Sequence, residues 1–157
     1  METLLTYLHV VAGGTLVGKV VLLSFVVAPI LAKQLDRASF GRVVRQLFPA
    51  YYAMGMIAAL VGLTALGGLV FMRGLTTSML LLSGSWLVIL SAESYCRAPL
   101  TPRSNLMRDQ LKAQEEQGAV DPQLQVAWDR LHRRSVYLNS LVLVMGLCVL
   151  GVATTWS

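Results

Sequence analysis

The sequence predicts an all-α integral membrane protein, a bundle of four transmembrane helices with both termini on the outer face. Three observations predict it. The chain is 55% hydrophobic and only 13% charged, against roughly 25% charged in a soluble domain. Its apolar residues lie in long blocks, without the short apolar–polar alternation of soluble elements. Most of its 13 Lys and Arg residues fall in two stretches, Lys33–Arg45 and Arg97–Arg134. Basic loops beside apolar spans set topology, so the net charge of +5 reads as contact with anionic headgroups and not as a nucleic-acid footprint. At 157 residues one domain is expected, covering residues 1–157.

The four apolar blocks are Tyr7–Leu31, Tyr52–Met72, Thr76–Tyr95 and Val136–Thr154, each near the ~20 residues that a spanning helix needs. A barrel would instead show ~10-residue alternating segments. The first block is expected to stay in place as a span. Met1-Glu2-Thr3 lacks a basic leader region, and Phe25-Val-Val-Ala-Pro29 makes a poor cleavage site. The acidic start favours an exported N-terminus. Met72-Arg73-Gly74-Leu75 then forms a short outer hairpin between the second and third helices.

The cytosolic segments, residues 32–51 and 96–135, carry structure of their own. Ser39 is placed to cap a basic amphipathic interfacial helix. Phe40, Val43, Val44, Leu47 and Phe48 share one face of it, and Pro49 closes it. Asp121-Pro122 combines a capping acid with proline at the first helical position. Nothing breaks the helix from there to the end of the fourth span. That helix should therefore extend into the cytosol and carry Leu124, Trp128 and Leu131 on a stripe, with Leu124 and Trp128 offered to a partner.

Several polar residues are out of place in this pattern. Lys19 lies mid-span, where an ammonium costs at least ~2.5–3.5 kcal/mol. It marks either a pathway or counter-ion site, or a flexible stem that finds a carbonyl or carboxylate. Glu93 is expected to pair locally with Arg97 one turn on. A pair with Lys19 requires both side chains to stretch across different depths. His132, Ser135 and Asn139 recur at three- and four-residue steps. They form a stripe that serves interhelical hydrogen bonding or lines a polar pocket at the inner face. Asn105, Arg108 and Asp109 are placed to close such a pocket. His9 is the candidate metal ligand, with haem or copper as the alternative to no cofactor. His132 lies most of a bilayer away from it, so the default for each is a hydrogen-bonded histidine. Cys96 and Cys148 are expected near opposite faces as free thiols.

Leu8-His9, Gly13-Gly14, Phe25-Val-Val-Ala-Pro29, Phe48-Pro-Ala-Tyr51, Pro102-Arg-Ser-Asn105 and Leu131-His132 occur in this order. Together they resemble the bacterial membrane family of unknown function related to eukaryotic transmembrane protein 205. The resemblance covers nearly the whole chain and implies a four-helix inner-membrane protein without an assigned reaction. Its eukaryotic relatives are associated with platinum-drug resistance. A looser similarity, to membrane copper-resistance proteins and haem-synthesis oxidases, rests on a histidine in the first helix.

The sequence holds no zinc motif, phosphate loop, nucleophile elbow or paired carboxylates. The expected function is therefore non-catalytic: an accessory or assembly subunit of a larger inner-membrane complex, with a membrane-protein partner or as a homo-oligomer. The alternatives are a small oligomeric transporter or metal-handling protein, and a haem-binding redox protein.

Overall fold

The computed structural model describes residues 1–154. Among them are four helices long and apolar enough to cross a membrane: α1 (Glu2–Gln34), α2 (Arg37–Arg73), α3 (Thr77–Glu116) and α4 (Pro122–Ala153). The described residues contain no strand.

Buried positions follow a three–four alternation. On α3 they are Met79, Leu82, Trp86, Ile89, Glu93 and Cys96; on α2, Tyr52, Gly55, Ala59, Gly62, Leu66 and Leu69. That spacing keeps one seam facing a neighbouring helix and suits the shallow crossing of bundles. The opposite faces are not polar. Phe71 is 92% exposed and Leu81 67%, a surface that water would penalise and lipid accepts.

Helix α1 packs closely on α4 through glycines. Gly13 lies against Leu150 and Val149, and Gly146 against Val17, the small-residue contact typical of spanning helices. The hairpin between α2 and α3 turns at Gly74, whose φ of 79° favours a residue without Cβ. An Arg73–Glu2 ion pair ties that hairpin to the start of α1.

The helices run further than the apolar blocks, and several expectations change with that. The segment from Ser39 to Pro49 is no separate helix but the first part of α2, which continues through Pro49. An interior proline costs ~3 kcal/mol. The continuous helix stacks Phe48 on Tyr52 one turn later, with ring centroids 5.7 Å apart, a contact that returns about 0.5–1.5 kcal/mol of that cost. The cap is Asp36, not Ser39: its carboxylate accepts from the amides of Ala38 and Ser39 at 3.0 and 2.9 Å. Asp121 caps α4 as its sequence suggests, accepting from the Gln123 amide at 2.8 Å.

Two widened π-helical turns interrupt the α geometry, Leu22–Val27 in α1 and Cys96–Leu100 in α3. Each lies at a proline, Pro29 just after the first and Pro99 within the second. A wider turn relieves the clash of the proline ring with the carbonyl four residues earlier.

The second turn lets α3 continue to Glu116, so most of residues 96–135 is helix and not loop. This extension covers the N-terminal part of α4. Leu131 is buried, and Trp128 and Leu124, the residues expected to face a partner, are half-buried. Arg45–Asp109 and Arg37–Glu115 ion pairs join α2 to the same extension.

Candidate functional site

Lys19 decides the centre of the bundle. It is 5% exposed and Glu93 1%, and the two side chains form an ion pair of 2.6 Å. The expected Glu93–Arg97 pair is not formed; Arg97 is exposed at the surface. The long lysine stem spans the difference in depth, and Gly55 of α2 leaves the space. A Cβ at that position would collide with the Glu93 carboxyl and the Lys19 ammonium. A buried ammonium needs all three N–H groups directed at electron density. Lys19 Nζ donates to Glu93 Oε1 at 2.6 Å and to the Tyr51 carbonyl at 3.3 Å. It also lies 3.9 Å from the centroid of the Tyr51 ring, within the range of a cation–π contact. The other carboxylate oxygen, Oε2, has no hydrogen-bond partner among the described residues.

The tyrosine pair extends this contact to the fourth helix. Tyr51 donates its hydroxyl to Asn139 Oδ1 at 2.9 Å, and the Tyr52 and Ser135 hydroxyls share a hydrogen bond of 3.0 Å. The Asn139 amide donates to the Ser135 carbonyl at 2.9 Å and more weakly to Tyr52 at 3.4 Å. One polar network therefore joins all four helices: Lys19 from α1, Tyr51 and Tyr52 from α2, Glu93 from α3, and Ser135 and Asn139 from α4.

Beside this network opens a cavity of about 470 Å³, within the range of small-molecule sites. Asn139, Ser135 and His132 line it from α4, as do Asn105 and Arg108 from the α3 extension. Asp109 does not line it and is held by Arg45. Trp128 stacks on His132 with ring centroids 5.5 Å apart and planes 6° from parallel. The Arg108 guanidinium sits 6.0 Å above the same indole. Leu124 is half-buried on α4 and is not part of the lining.

His9 lies elsewhere. It is fully buried against Trp86, with ring centroids 5.5 Å apart in an edge-on arrangement, and Gly62 makes room for the indole. Among the described residues no three His, Cys, Asp or Glu side chains gather.

The family model for a domain of unknown function, DUF4149, matches residues 11–113, well over half of the chain. The chain belongs to that family. The matched part of this DUF4149 chain includes Lys19, Tyr51, Gly55, Glu93 and Arg108, so the ion pair and one wall of the cavity lie inside it. His132, Ser135 and Asn139 lie beyond it. Neither a curated protein nor a solved structure gives a match.

Three residues of the DUF4149 site escape sequence reading. Tyr51 and Tyr52 stand at the start of an apolar block, where aromatic residues ordinarily mark the lipid–water interface. Gly55 is one of 13 glycines, and nothing in its neighbours announces that a carboxylate will rest on it. The Phe48-Pro-Ala-Tyr51 motif was the available signal, since it places two rings on one helix face next to a mid-span lysine in the adjacent helix.

Proposed function

We propose that this chain is a non-catalytic accessory or assembly protein of the bacterial inner membrane, a fixed four-helix scaffold within a larger complex. The observation that carries this reading is the network centred on Lys19. Its hydrogen bonds run across all four helices, and Glu93 Oε2 is the one atom of the Lys19–Glu93 pair left without a partner among the described residues, a closed arrangement that leaves little to work on a substrate. Drawing α1 away from α3 would strand a buried charge, at a cost of ~3–5 kcal/mol. Such a clasp suits a scaffold better than a rocking pathway.

Both termini are assigned to the periplasmic side. The two basic stretches are joined through Arg37–Glu115 and Arg45–Asp109 and so share one end of the bundle, which the positive-inside rule makes cytosolic. Kinship with the group around eukaryotic transmembrane protein 205 fits the same architecture through the short motifs quoted above. A homo-oligomer is the second form such a scaffold can take.

Native mass spectrometry of protein gently extracted from its own membrane tests the proposal. A mass above an integer multiple of 17.1 kDa is expected, the excess being the partner. A mass of the chain or its multiples alone would refute the accessory role. For topology, Ala119→Cys should react with a water-soluble maleimide only after the membrane is opened, and Leu75→Cys in intact spheroplasts. The reverse pattern would overturn the orientation.

The cavity favours a second reading, a small oligomeric transporter or carrier. Lys19→Leu separates the two, since a carrier loses transport while still inserting.

A further inference from the structure

Helices α1 and α4 touch at one end through Gly13 and Gly146 and part towards the other. There Leu23, Ser24 and Phe25 of α1 face Val136, Ser140 and Leu143 of α4 across the cavity. Phe25 is 69% exposed and Val136 49%, so the mouth opens sideways between two spanning helices, where lipid chains lie. Along α4 the lining runs from Trp128 to Leu143, about 22 Å at 1.5 Å per residue. The chemistry changes over that length. Val20, Leu23 and Leu143 form an apolar end, while Ser104, Asn105 and Arg108 form a polar one.

Arg108 is the charged group at the polar end. Among the described residues no carboxylate pairs with it. Its sequence neighbour Asp109 is taken by Arg45, and of its five N–H groups one contacts the Gly41 carbonyl at 3.3 Å. The Trp128 indole lies 6.0 Å from the guanidinium carbon, and a guanidinium with N–H groups to spare can meet an oxyanion at two points.

We propose that this cavity binds one single-chain acidic amphiphile, its hydrocarbon chain against Val20, Leu23 and Leu143 and its carboxylate or phosphate oxygens on Arg108. The site is slender, so one chain enters from the side and a two-chain phospholipid leaves its second chain outside. This goes beyond the accessory role and does not depend on any partner.

Native mass spectrometry of the whole protein in neutral maltoside detergent tests it with five probes. Oleate and 1-oleoyl lysophosphatidate carry the chain with a carboxylate or a phosphate. Oleyl alcohol carries the chain alone, and acetate and inorganic phosphate carry the anion alone. One-to-one adducts are expected with the acidic chains, and the tighter of the two identifies the headgroup. Oleyl alcohol should bind at least about tenfold more weakly, and Arg108→Gln should weaken the acidic probes by a similar factor without affecting the alcohol. Ser140→Trp, which fills the mouth and leaves Arg108 in place, should weaken every chain-bearing probe. It serves as the test if Arg108→Gln does not fold. Equal binding of alcohol and acid, undiminished binding in these variants, or equally tight binding of the chainless anions would each overturn the proposal. So would the absence of any adduct.

Discussion

Removing one partner of the Lys19–Glu93 pair should cost far more than removing both. At the observed 2.6 Å the attraction amounts to about 6 kcal/mol at an effective dielectric constant of ~20. Taking each ion out of water costs several kcal/mol, so the pair as a whole contributes little net stability. A single substitution forfeits the attraction and keeps the remaining ion's desolvation, a loss of ~3–5 kcal/mol. For a chain of this length, that corresponds to a fall in Tm of about 6–20 °C. Lys19→Met and Glu93→Gln should each show it in thermal unfolding followed by circular dichroism in detergent. The double variant should return to within ~1 kcal/mol of wild type, because an apolar or neutral pair of similar volume carries no desolvation cost. Two near-neutral single variants, or a double variant as unstable as the sum of the singles, would refute the assignment of each charge as the other's counter-ion.

The remaining predictions concern positions around this pair and at the helix ends. Gly55→Ala should destabilise by ~1–3 kcal/mol, since its methyl meets the packed carboxyl and ammonium. Gly67→Ala, which meets nothing within 4 Å, should be neutral or up to ~1 kcal/mol more stable. Equal behaviour of the two in a melting curve would contradict the proposed role of Gly55. The hydroxyl and amide of Ser39 and the amide of Ala38 hold the Asp36 carboxyl below its usual range. Its cap is therefore fully present above the ordinary carboxylate pKa and lost as pH falls through the lowered value. Asp36→Ala should speed hydrogen exchange at the amides of Ala38 and Ser39 at neutral pH, and wild type should match it only in strong acid. A hydrophobic thiol reagent should modify exposed Cys148 and spare buried Cys96. Rapid labelling of Cys96, read by peptide mass, would argue that the bundle opens.

Span number and approximate placement were legible because lipid imposes a simple length-and-hydropathy rule, met four times here. The helix ends that carry the basic stretches were less so. Pro49 looks like a stop in one dimension, but the stacking of Phe48 on Tyr52 that helps the helix through it is a contact between turns. Asp36 and Ser39 are both good caps, and the choice between them depends on where α1 ends, at Gln34. The stripe of His132, Ser135 and Asn139 was readable from spacing alone, and Asn105 and Arg108 line the same cavity. The Lys19–Glu93 pair was not readable. Its formation depends on a missing side chain at Gly55 of a third helix, and a sequence gives no sign of which absence will be used.

The same ion pair constrains how the protein is made. Glu93 follows Lys19 by 74 residues, which a ribosome takes roughly 4–15 s to synthesise at ~5–20 residues per second. For that interval the first helix carries a lysine with no counter-charge, in a segment that would have to enter lipid alone. That unpaired lysine costs the segment about 2.5–3.5 kcal/mol, a penalty lifted only when Glu93 arrives on the third helix, so the order of synthesis sets when the first helix reaches its full stability in lipid.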